Sequence, residues 1–285
     1  MVKMIVPWLP ALLAVPAAMA QSTNSSPAKS IYNLFNPTPE NRLRELAPDR
    51  PDKTDGPFTV DAGHFQWEMD FANYTLDKNN GVDARAWNVA PFNLRVGLLD
   101  NTELQLAYDD YLNVRASDNR TGTTITQSGF GDLNARLKIN LWGNEGGTTA
   151  FGLFPFLKFP VNTGGLGNNA IEGGLGLPLA LNLPHDFDLG LETSFDFFQN
   201  ENDADYHAEF VNSITLDHAL AGKLSGYVEF FSEVSAERHS DWVGTVDVGL
   251  EYLLNENVQL DCGCNFGVTR AADDFNPFAG LTMRF

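Results

Sequence analysis

The amino-acid sequence predicts an all-β fold, a transmembrane antiparallel up-and-down β-barrel of about 12 strands. Three observations lead to this prediction. Apolar and polar residues alternate in short runs, the connections between runs differ systematically in length, and the last run ends on an aromatic residue, Phe285. A transmembrane β-strand needs only about 9–11 residues, so most of these runs are long enough to cross a bilayer.

The alternating runs begin at Phe65 and continue to the end of the chain. In the most regular run, the apolar residues of 133–141 alternate with Asn134, Arg136, Lys138 and Asn140. The other runs cover residues 65–72, 92–98, 103–109, 149–159, 171–183, 187–198, 206–217, 223–234, 242–254, 258–268 and 275–285. A period of two residues is the period of a strand with one apolar face, so the runs predict one β domain.

The connections between the runs carry a second, independent signal. Connections after even-numbered strands are short, at residues 99–101, 143–147, 184–186, 218–222 and 255–257. Those after odd-numbered strands are mostly longer and more polar, notably 115–128 and 161–170. Short turns at one end and longer loops at the other are typical of transmembrane barrels, in which an even strand number returns both termini to the periplasm.

Alternation alone does not say which face points outward, because a secreted soluble ligand-binding barrel would bury the apolar face. Glycines on the polar faces, such as Gly174, Gly190 and Gly263, suit a crowded lumen. Aromatic residues of the apolar faces gather near strand ends, as the two aromatic girdles of a membrane barrel require: Tyr108, Tyr206, Trp242, Phe187, Tyr252 and Phe285. These features favour an apolar face that points into lipid.

The first 20 residues have the pattern of a secretory signal peptide, with Lys3, an apolar stretch and the cleavage motif Ala18-Met19-Ala20. The formal net charge is −19 and becomes −20 when this leader and its one lysine are removed. Such an acidic chain is a poor partner for nucleic acid. We expect residues 21–57 to form a periplasmic N-terminal extension and residues 58–285 to form a barrel in the outer membrane of a Gram-negative bacterium.

The extension has two interpretations. Its charged segment, residues 49–52 (DRPD), either folds the N-terminal tail into the lumen as a periplasmic plug or gate, or serves as an ordered lead-in to the first strand. The apolar residues Ile31, Leu34 and Phe35 would give a plug something to bury.

The polar faces of the strands predict the residues that a solute would meet in the lumen. Acidic residues dominate, and Arg95, Arg136 and Lys138 form a basic patch on strands 2 and 4, which a single strand separates. The candidates for a solute path are Glu68, Asp70, Arg95, Glu103, Asp132, Arg136, Lys138, Glu192, Glu229 and Glu251. One interpretation is a polar pore that favours cations or neutral solutes, and the other is a packed lumen in which the basic residues pair with Glu103 and Asp132.

No catalytic constellation emerges from the sequence. His207 has Ser213 on its own strand, and His239 precedes Ser240 in a loop, but neither spacing is diagnostic without a third orienting group. An outer-membrane enzyme resembling the phospholipase barrels therefore stays an alternative to a channel. Cys262 and Cys264 lie two apart on one strand without a third ligand, so we expect no metal site and no cofactor.

Residues 49–52 (DRPD), 59–66 (TVDAGHFQ), 129–133 (GFGDL) and 172–178 (EGGLGLP) occur along the domain from about residue 49 to the end. These stretches resemble the outer-membrane transporter family linked to the meta pathway of phenol degradation, the phenol MetA-type β-barrels. The resemblance implies a barrel that takes up aromatic or other small compounds. It does not identify the transported substrate.

The end of the chain predicts how the protein reaches its membrane. Gly280, Met283 and Phe285 keep the spacing of the signal that outer-membrane barrels present to the barrel-assembly machinery. The expected partners are that machinery, outer-membrane lipid and a small-molecule solute. The expected function is a channel or transporter for small solutes, including aromatic or hydrophobic compounds.

Overall fold

The computed structural model describes residues 29–200, 204–238 and 240–285. The expected signal peptide and residues 21–28 lie outside this part of the chain. Within it, fifteen antiparallel strand segments form one sheet that closes on itself where β15 pairs with β1. No helix in the described ranges is both long and apolar enough to cross a membrane.

The first eight segments are β1 (Phe65–Asn79), β2 (Val82–Val89), β3 (Phe92–Leu99), β4 (Thr102–Tyr108), β5 (Tyr111–Asp118), β6 (Thr123–Gly129), β7 (Leu133–Trp142) and β8 (Thr149–Phe159). The remaining seven are β9 (Glu172–Leu183), β10 (Phe187–Gln199), β11 (Tyr206–Ala221), β12 (Leu224–Ser235), β13 (Val243–Asn255), β14 (Val258–Gly267) and β15 (Phe275–Arg284). Two short 3₁₀ turns, Lys29–Ile31 and Glu40–Arg42, precede them.

Three pairs of segments each make one strand of the wall with a local break: β2 with β3, β4 with β5, and β6 with β7. The pairing shows this, because β1 pairs with both β2 and β3 along its length. On their other side, β2 pairs with β5 and β3 pairs with β4. The fifteen segments therefore form a closed barrel of 12 wall strands, and the predicted fold class is confirmed.

The predicted loop at residues 115–128 is wrong, because most of it is paired. β5 and β6 form a hairpin closed by residues 119–122. Likewise β1 and β2 are joined by Asn80 and Gly81, whose φ angles of 49° and 81° fit the tight turn that Asn-Gly favours. β6 is exposed along nearly all of its length, as a strand is when it extends beyond the bilayer into water. Such a strand needs no apolar face, so its sequence lacks alternation.

The barrel is apolar outside and polar inside. Large apolar side chains are exposed on the outer wall, among them Phe197 at 55%, Trp87 at 49% and Leu141 at 49%. The largest fully buried side chains, in contrast, include Arg95, Lys138 and other polar residues. A soluble domain shows the opposite distribution, so the outer face suits lipid.

Only some of the described residues before Phe65 lie inside the barrel: Ile31 and Phe35, which a plug would have buried, are 54% and 93% exposed. The chain enters at the end where the short turns lie, which we call the turn end, and residues 44–61, which we call the lumen segment, loop into the interior and return. β1 begins only at Phe65, so residues 58–64 belong to the returning limb rather than to the wall. Gly97 in β3 makes room for this limb, since a Cβ atom there would lie 2.1 Å from the carbonyl oxygen of Asp61.

Candidate functional site

The centre of the lumen is organised by Arg95, which is fully buried. Its guanidinium donates to Glu68 and Glu103, at 2.9 Å in each case. It also donates to two backbone carbonyls of the lumen segment, those of Ala47 at 2.9 Å and Phe58 at 3.0 Å. One wall side chain therefore holds both limbs of the segment, and its charge is compensated by wall carboxylates.

Asp49 at the tip of the lumen segment inserts into the basic patch. Its carboxylate lies 3.3 Å from Arg95, pairs with Lys138 and accepts a hydrogen bond of 2.6 Å from Gln105. Burial raises the pKa of Asp49, but the charges of Arg95 and Lys138 outweigh burial and hold that pKa below its ordinary value of 3.8. The patch thus binds Asp49 as an anion.

Arg50, the next residue, points toward carboxylates of β1 and β14. Its guanidinium donates to Asp70 at 2.6 Å and to both carboxylate oxygens of Asp261 at 2.6 and 2.8 Å. Gly280 in β15 permits this approach, because a Cβ atom there would lie 2.0 Å from an Nη atom of Arg50. Adjacent residues of opposite charge therefore meet wall residues of the complementary charge on different strands.

Lys53 and Thr54 continue along the acidic wall. The Lys53 ammonium lies 3.1 Å from Asp247, and its backbone amide donates to Glu229 at 3.0 Å. The Thr54 hydroxyl donates to Glu229 at 2.6 Å and lies 2.8 Å from the Ser213 oxygen. These contacts join the tip of the segment to β11, β12 and β13.

The surroundings of two further carboxylates of the segment, Asp52 and Asp55, disfavour their charged form. The Asp55 amide donates to Glu192 at 2.8 Å, and its carboxylate lies 3.6 Å from Arg136. Burial raises the pKa of Asp55 to about 6, although Arg136 opposes the rise. Burial, followed by the charges of acidic wall residues beginning with Glu229, raises the pKa of Asp52 well above its ordinary value.

A second cluster fixes the segment at the turn end. Arg44 pairs with Asp61 at 3.4 Å, with Glu145 at 2.7 Å and with Asp100. Arg284 of the last strand donates to the Arg44 carbonyl at 2.7 Å. The entering limb is therefore tied to the returning limb and to turns and a strand of the barrel.

The segment separates two cavities of the lumen. A cavity of about 290 Å³ lies on the loop side and is lined by Asp70, Asp109 and Arg136 among others. A second cavity of about 400 Å³ lies on the turn side beside β9 to β12. Arg50 and Asp55 line both cavities. The partition between them is therefore made by the lumen segment rather than by the wall.

The structure places the predicted solute-path residues inside the barrel and brings most of them to the segment. Those in contact with it are Glu68, Asp70, Arg95, Glu103, Arg136, Lys138, Glu192 and Glu229. Glu251 instead accepts a hydrogen bond from Ser225 and lines the turn-side cavity.

Of the two pairings in the packed-lumen interpretation, that of the basic patch with Asp132 is wrong and that with Glu103 is found. Asp132 lies apart from the patch, near the loop end, where Lys158 approaches to 3.6 Å and the Asn162 side chain donates to it at 2.7 Å. It sits in the break between β6 and β7, where the strand changes course, so alternation from the strand did not locate it.

Several lumen contacts were missed in the sequence. Gln105, Asp247 and Asp261 bind the segment, although none of them was a solute-path candidate. The signal that could have found them is the alternation of charge in residues 49–55, which calls for matching charges on facing walls.

The histidine and serine pairs do not form a hydrolase site in the described ranges. His207 contacts Asn200 at 2.9 Å and Glu209 at 3.1 Å, while the Ser213 hydroxyl meets Thr54. Ser240 donates to backbone carbonyls of its own loop, and His239 lies outside the described residues.

The C-terminal residues lie as their alternation predicts. Gly280 is buried toward the lumen, Met283 is on the opposite, outer face, and Phe285 is 67% exposed at the turn end. The Phe285 amide donates to the Phe65 carbonyl at 2.8 Å, so the last residue completes the closure of the barrel. Recognition by an assembly machinery stays a prediction.

Comparisons with known proteins agree with this architecture. A family model described as "Putative MetA-pathway of phenol degradation" matches residues 48–285. The COG4313 outer membrane channel from Pseudomonas putida F1 is similar in structure, with 13% identity, a TM-score of 0.59, and coverage of 85% of this chain and 100% of that one. The NanC porin aligns with 9% identity, a TM-score of 0.49, and coverage of 76% and 98%. No curated protein sequence matches the chain. At 13% identity, the likeness to the COG4313 channel shows the fold alone.

Proposed function

The chain belongs to this phenol-degradation-pathway family, and from that premise we propose that it is an outer-membrane channel for small solutes whose lumen is gated by its own N-terminal segment. The observation that carries the proposal is the partition of the lumen. Two cavities on opposite sides share Arg50 and Asp55 as lining residues, so withdrawal of the lumen segment would join them. The barrel would sit in outer-membrane lipid after delivery by the assembly machinery.

The charge of the lumen sets the class of solute. The loop-side cavity has Asp49, Asp55, Asp70 and Asp109 in its lining against Arg50 and Arg136. The turn-side cavity is lined by acidic residues of both the segment and the wall. Excess negative charge raises the local concentration of cations and repels anions. We therefore propose cations and neutral polar solutes for the aqueous path, and apolar or aromatic compounds as further substrates.

Reconstitution tests the proposal. Purified full-length protein in planar bilayers should give small, cation-selective conductance steps, and proteoliposomes should swell slowly in small neutral sugars. A heat-dependent shift in gel mobility would verify that the preparation is a folded barrel. A folded preparation without conductance or swelling, both before and after removal of the lumen segment, would contradict a channel.

We expect conductance to rise with pH, because docking of the segment binds protons. Docking raises the pKa of Asp55 from 3.8 to about 6, and raises that of Asp52 as well, so the docked state holds protons that the released state gives up. Docking therefore weakens as pH rises from 3.8 through about 6. The pKa of Asp49 is lowered by docking, so Asp49 weakens docking as pH falls, but only below its ordinary pKa of 3.8. Single-channel recordings at pH 5 and pH 7.5 check the sign of this dependence.

The combination Asp52→Asn and Asp55→Asn should flatten this pH profile, whereas Glu45→Gln, at an exposed position of the entering limb, should leave it intact. Asp55 faces Arg136, Glu192, Asp49, Lys138 and Arg95. Asp52 faces Glu229, Asp217, Glu251 and Thr215. An unchanged profile in the doubly substituted protein would show that neither carboxylate controls docking.

A further inference from the structure

Charged side chains on the outer face of the barrel are confined to one place in the described strands. Three are basic, Lys78 of β1, Arg85 of β2 and Arg115 of β5, and one is acidic, Asp83 of β2. Every other charged side chain of these strands alternates onto the inner face. We call the three basic residues the outer cluster. Three positive charges and one negative charge leave a net +2 here, although the net charge of the chain is −19.

Strand pairing places these four side chains on the same face. Trp87, two positions after Arg85, is 49% exposed on the outer wall, so Arg85 shares its outward direction. Arg85 is paired directly with Arg115 across the ladder from β2 to β5. Asp83, two positions before Arg85, is paired with Lys78 across the ladder from β2 to β1. Paired residues of neighbouring strands point to the same side of a sheet, so all four side chains point outward.

The pairing of Arg85 with Arg115 is unfavourable without a further anion. Like charges that lie directly opposite each other on neighbouring strands repel. Asp83 compensates one of the two cations, because it accepts hydrogen bonds of 2.9 and 3.1 Å from the Arg85 guanidinium. Among the described residues no ion pair includes Arg115, and its partner on the other side, Thr126 of β6, carries no charge. An anion from outside the protein would relieve this repulsion.

The wall beside the outer cluster is aromatic and apolar on the side of the membrane. The rings of Trp87 and Tyr74 are neighbours, with centroids 4.8 Å apart. Val89 and Tyr111 form the next pair toward the middle of the wall, and both are exposed. Trp and Tyr are enriched at the boundary between lipid and water. The outer cluster therefore lies one row of residues above this boundary, at the depth of lipid headgroups.

Hydroxyl groups adjoin the outer cluster on the side away from the membrane. Ser117 and Thr124 are paired across the ladder from β5 to β6, and their hydroxyl oxygens lie 3.0 Å apart. Thr126 lies on the same face, opposite Arg115. Hydroxyl groups both donate and accept hydrogen bonds, as the hydroxyl groups of sugars do. From the membrane outward, the surface is thus apolar, aromatic, cationic and finally hydroxyl-rich.

The position of the outer cluster along the barrel identifies the leaflet that it meets. It lies near the tips of the hairpins β1–β2 and β5–β6, at the end of the barrel opposite Phe285 and the short turns. In outer-membrane barrels the short turns face the periplasm and the longer loops face the outside of the cell. The lipids at this depth are therefore those of the outer leaflet, which in Gram-negative bacteria are phosphorylated glycolipids.

We propose that Lys78, Arg85 and Arg115 bind the phosphate groups of a phosphorylated glycolipid of the outer leaflet. Guanidinium groups bind phosphate through paired, charge-assisted hydrogen bonds, and a basic cluster at a membrane surface attracts anionic headgroups. The acyl chains of this lipid would lie against Trp87 and Tyr111, and its sugar against the hydroxyl groups of β5 and β6. This lipid site is a further function beyond the proposed channel, and it does not depend on conductance.

Retention of a defined lipid by the purified full-length barrel tests the proposal. The probe is diphosphoryl lipid A, and native mass spectrometry of the protein in detergent measures the fraction of barrels that keep one molecule. The combination Arg85→Gln and Arg115→Gln should weaken this binding by at least the order of tenfold, because it removes two cations that face the phosphates. Lipid A whose phosphates have been removed should bind the unsubstituted protein as weakly as the intact lipid binds this variant.

A matched control removes the same amount of charge from the same end of the barrel. Arg120 and Arg270 are exposed residues of the connections after β5 and β14, outside the outer cluster. The combination Arg120→Gln and Arg270→Gln should therefore retain the lipid as the unsubstituted protein does. Heat-dependent gel mobility verifies folding of each variant. The comparison of the two forms of lipid A needs no substitution, so it decides the question even if a variant does not fold.

Three results would overturn the proposal. The first is equal retention of the phosphorylated and dephosphorylated lipid by the unsubstituted protein. The second is undiminished retention by the folded Arg85→Gln and Arg115→Gln protein, or an equal loss in the control. The third is complete displacement of the lipid by inorganic phosphate, since the outer cluster would then be a site for free anions rather than for a lipid. Each of these results would leave the proposed channel standing, because none of them concerns the lumen.

Discussion

Deletion of residues 29–57, with the leader left intact, should raise single-channel conductance on the order of tenfold, because a barrel of this strand number encloses a wide lumen once nothing fills it. The deletion removes the entering limb and the tip, together with the anchors formed by Arg44, Arg50 and Lys53. Planar bilayers and swelling of liposomes in sugars of increasing size measure the change.

The matched control exchanges residues 29–57 for a flexible Gly/Ser segment of equal length, which keeps the chain but none of its charged contacts. It should conduct as the deletion does, at least intermittently, since a flexible chain has no contacts that hold it in the lumen. A deletion protein that folds and still conducts like the full-length protein would show that the wall itself limits passage.

Arg95→Met should be the most damaging single substitution in the lumen. It leaves Glu68, Glu103 and Asp49 close together without their shared cation, and loss of one partner from a buried ion pair costs about 3–5 kcal/mol. Both limbs of the lumen segment also lose a donor to their backbone. We expect the substituted protein to unfold at a lower urea concentration than the unsubstituted protein, and to open more often in bilayer recordings.

Arg120→Met is the control for this substitution, because Arg120 is 66% exposed and pairs with Asp118 beyond the bilayer. Water screens an exposed pair of this kind, so its loss should change neither unfolding nor gating measurably. Equal effects of the two substitutions would mean that the buried network around Arg95 does not hold the segment.

The sequence predicted the barrel and its inner face well, because both depend on a period of two residues. Alternation placed Glu68, Arg95, Lys138 and Glu229 on the inner face without knowledge of strand order. It did not find the partners of Asp132, which lies where the strand is broken, and it missed the strand at residues 123–128, where a strand surrounded by water needs no apolar face.

The position of residues 49–55 could not be chosen from sequence. Their alternating charges suit a plug and an ordered lead-in equally well, and the choice depends on which wall residues lie opposite one another. That depends on the stagger between strands, which brings Lys138 of β7 to Asp49 and Asp261 of β14 to Arg50. Neither composition nor periodicity predicts which wall residues lie opposite the segment.

The central claim, that the lumen segment occupies the lumen and controls passage, is tested most directly by a disulfide between the segment and the wall. Thr54 and Ser213 are suitable positions, since their hydroxyl oxygens lie 2.8 Å apart. Thr54→Cys and Ser213→Cys are combined in a protein with Cys262→Ala and Cys264→Ala. The locked protein should stay at low conductance at pH 7.5, and a reductant should restore its openings. Failure of the two cysteines to join, or equal conductance in the oxidised and reduced protein, would contradict the account.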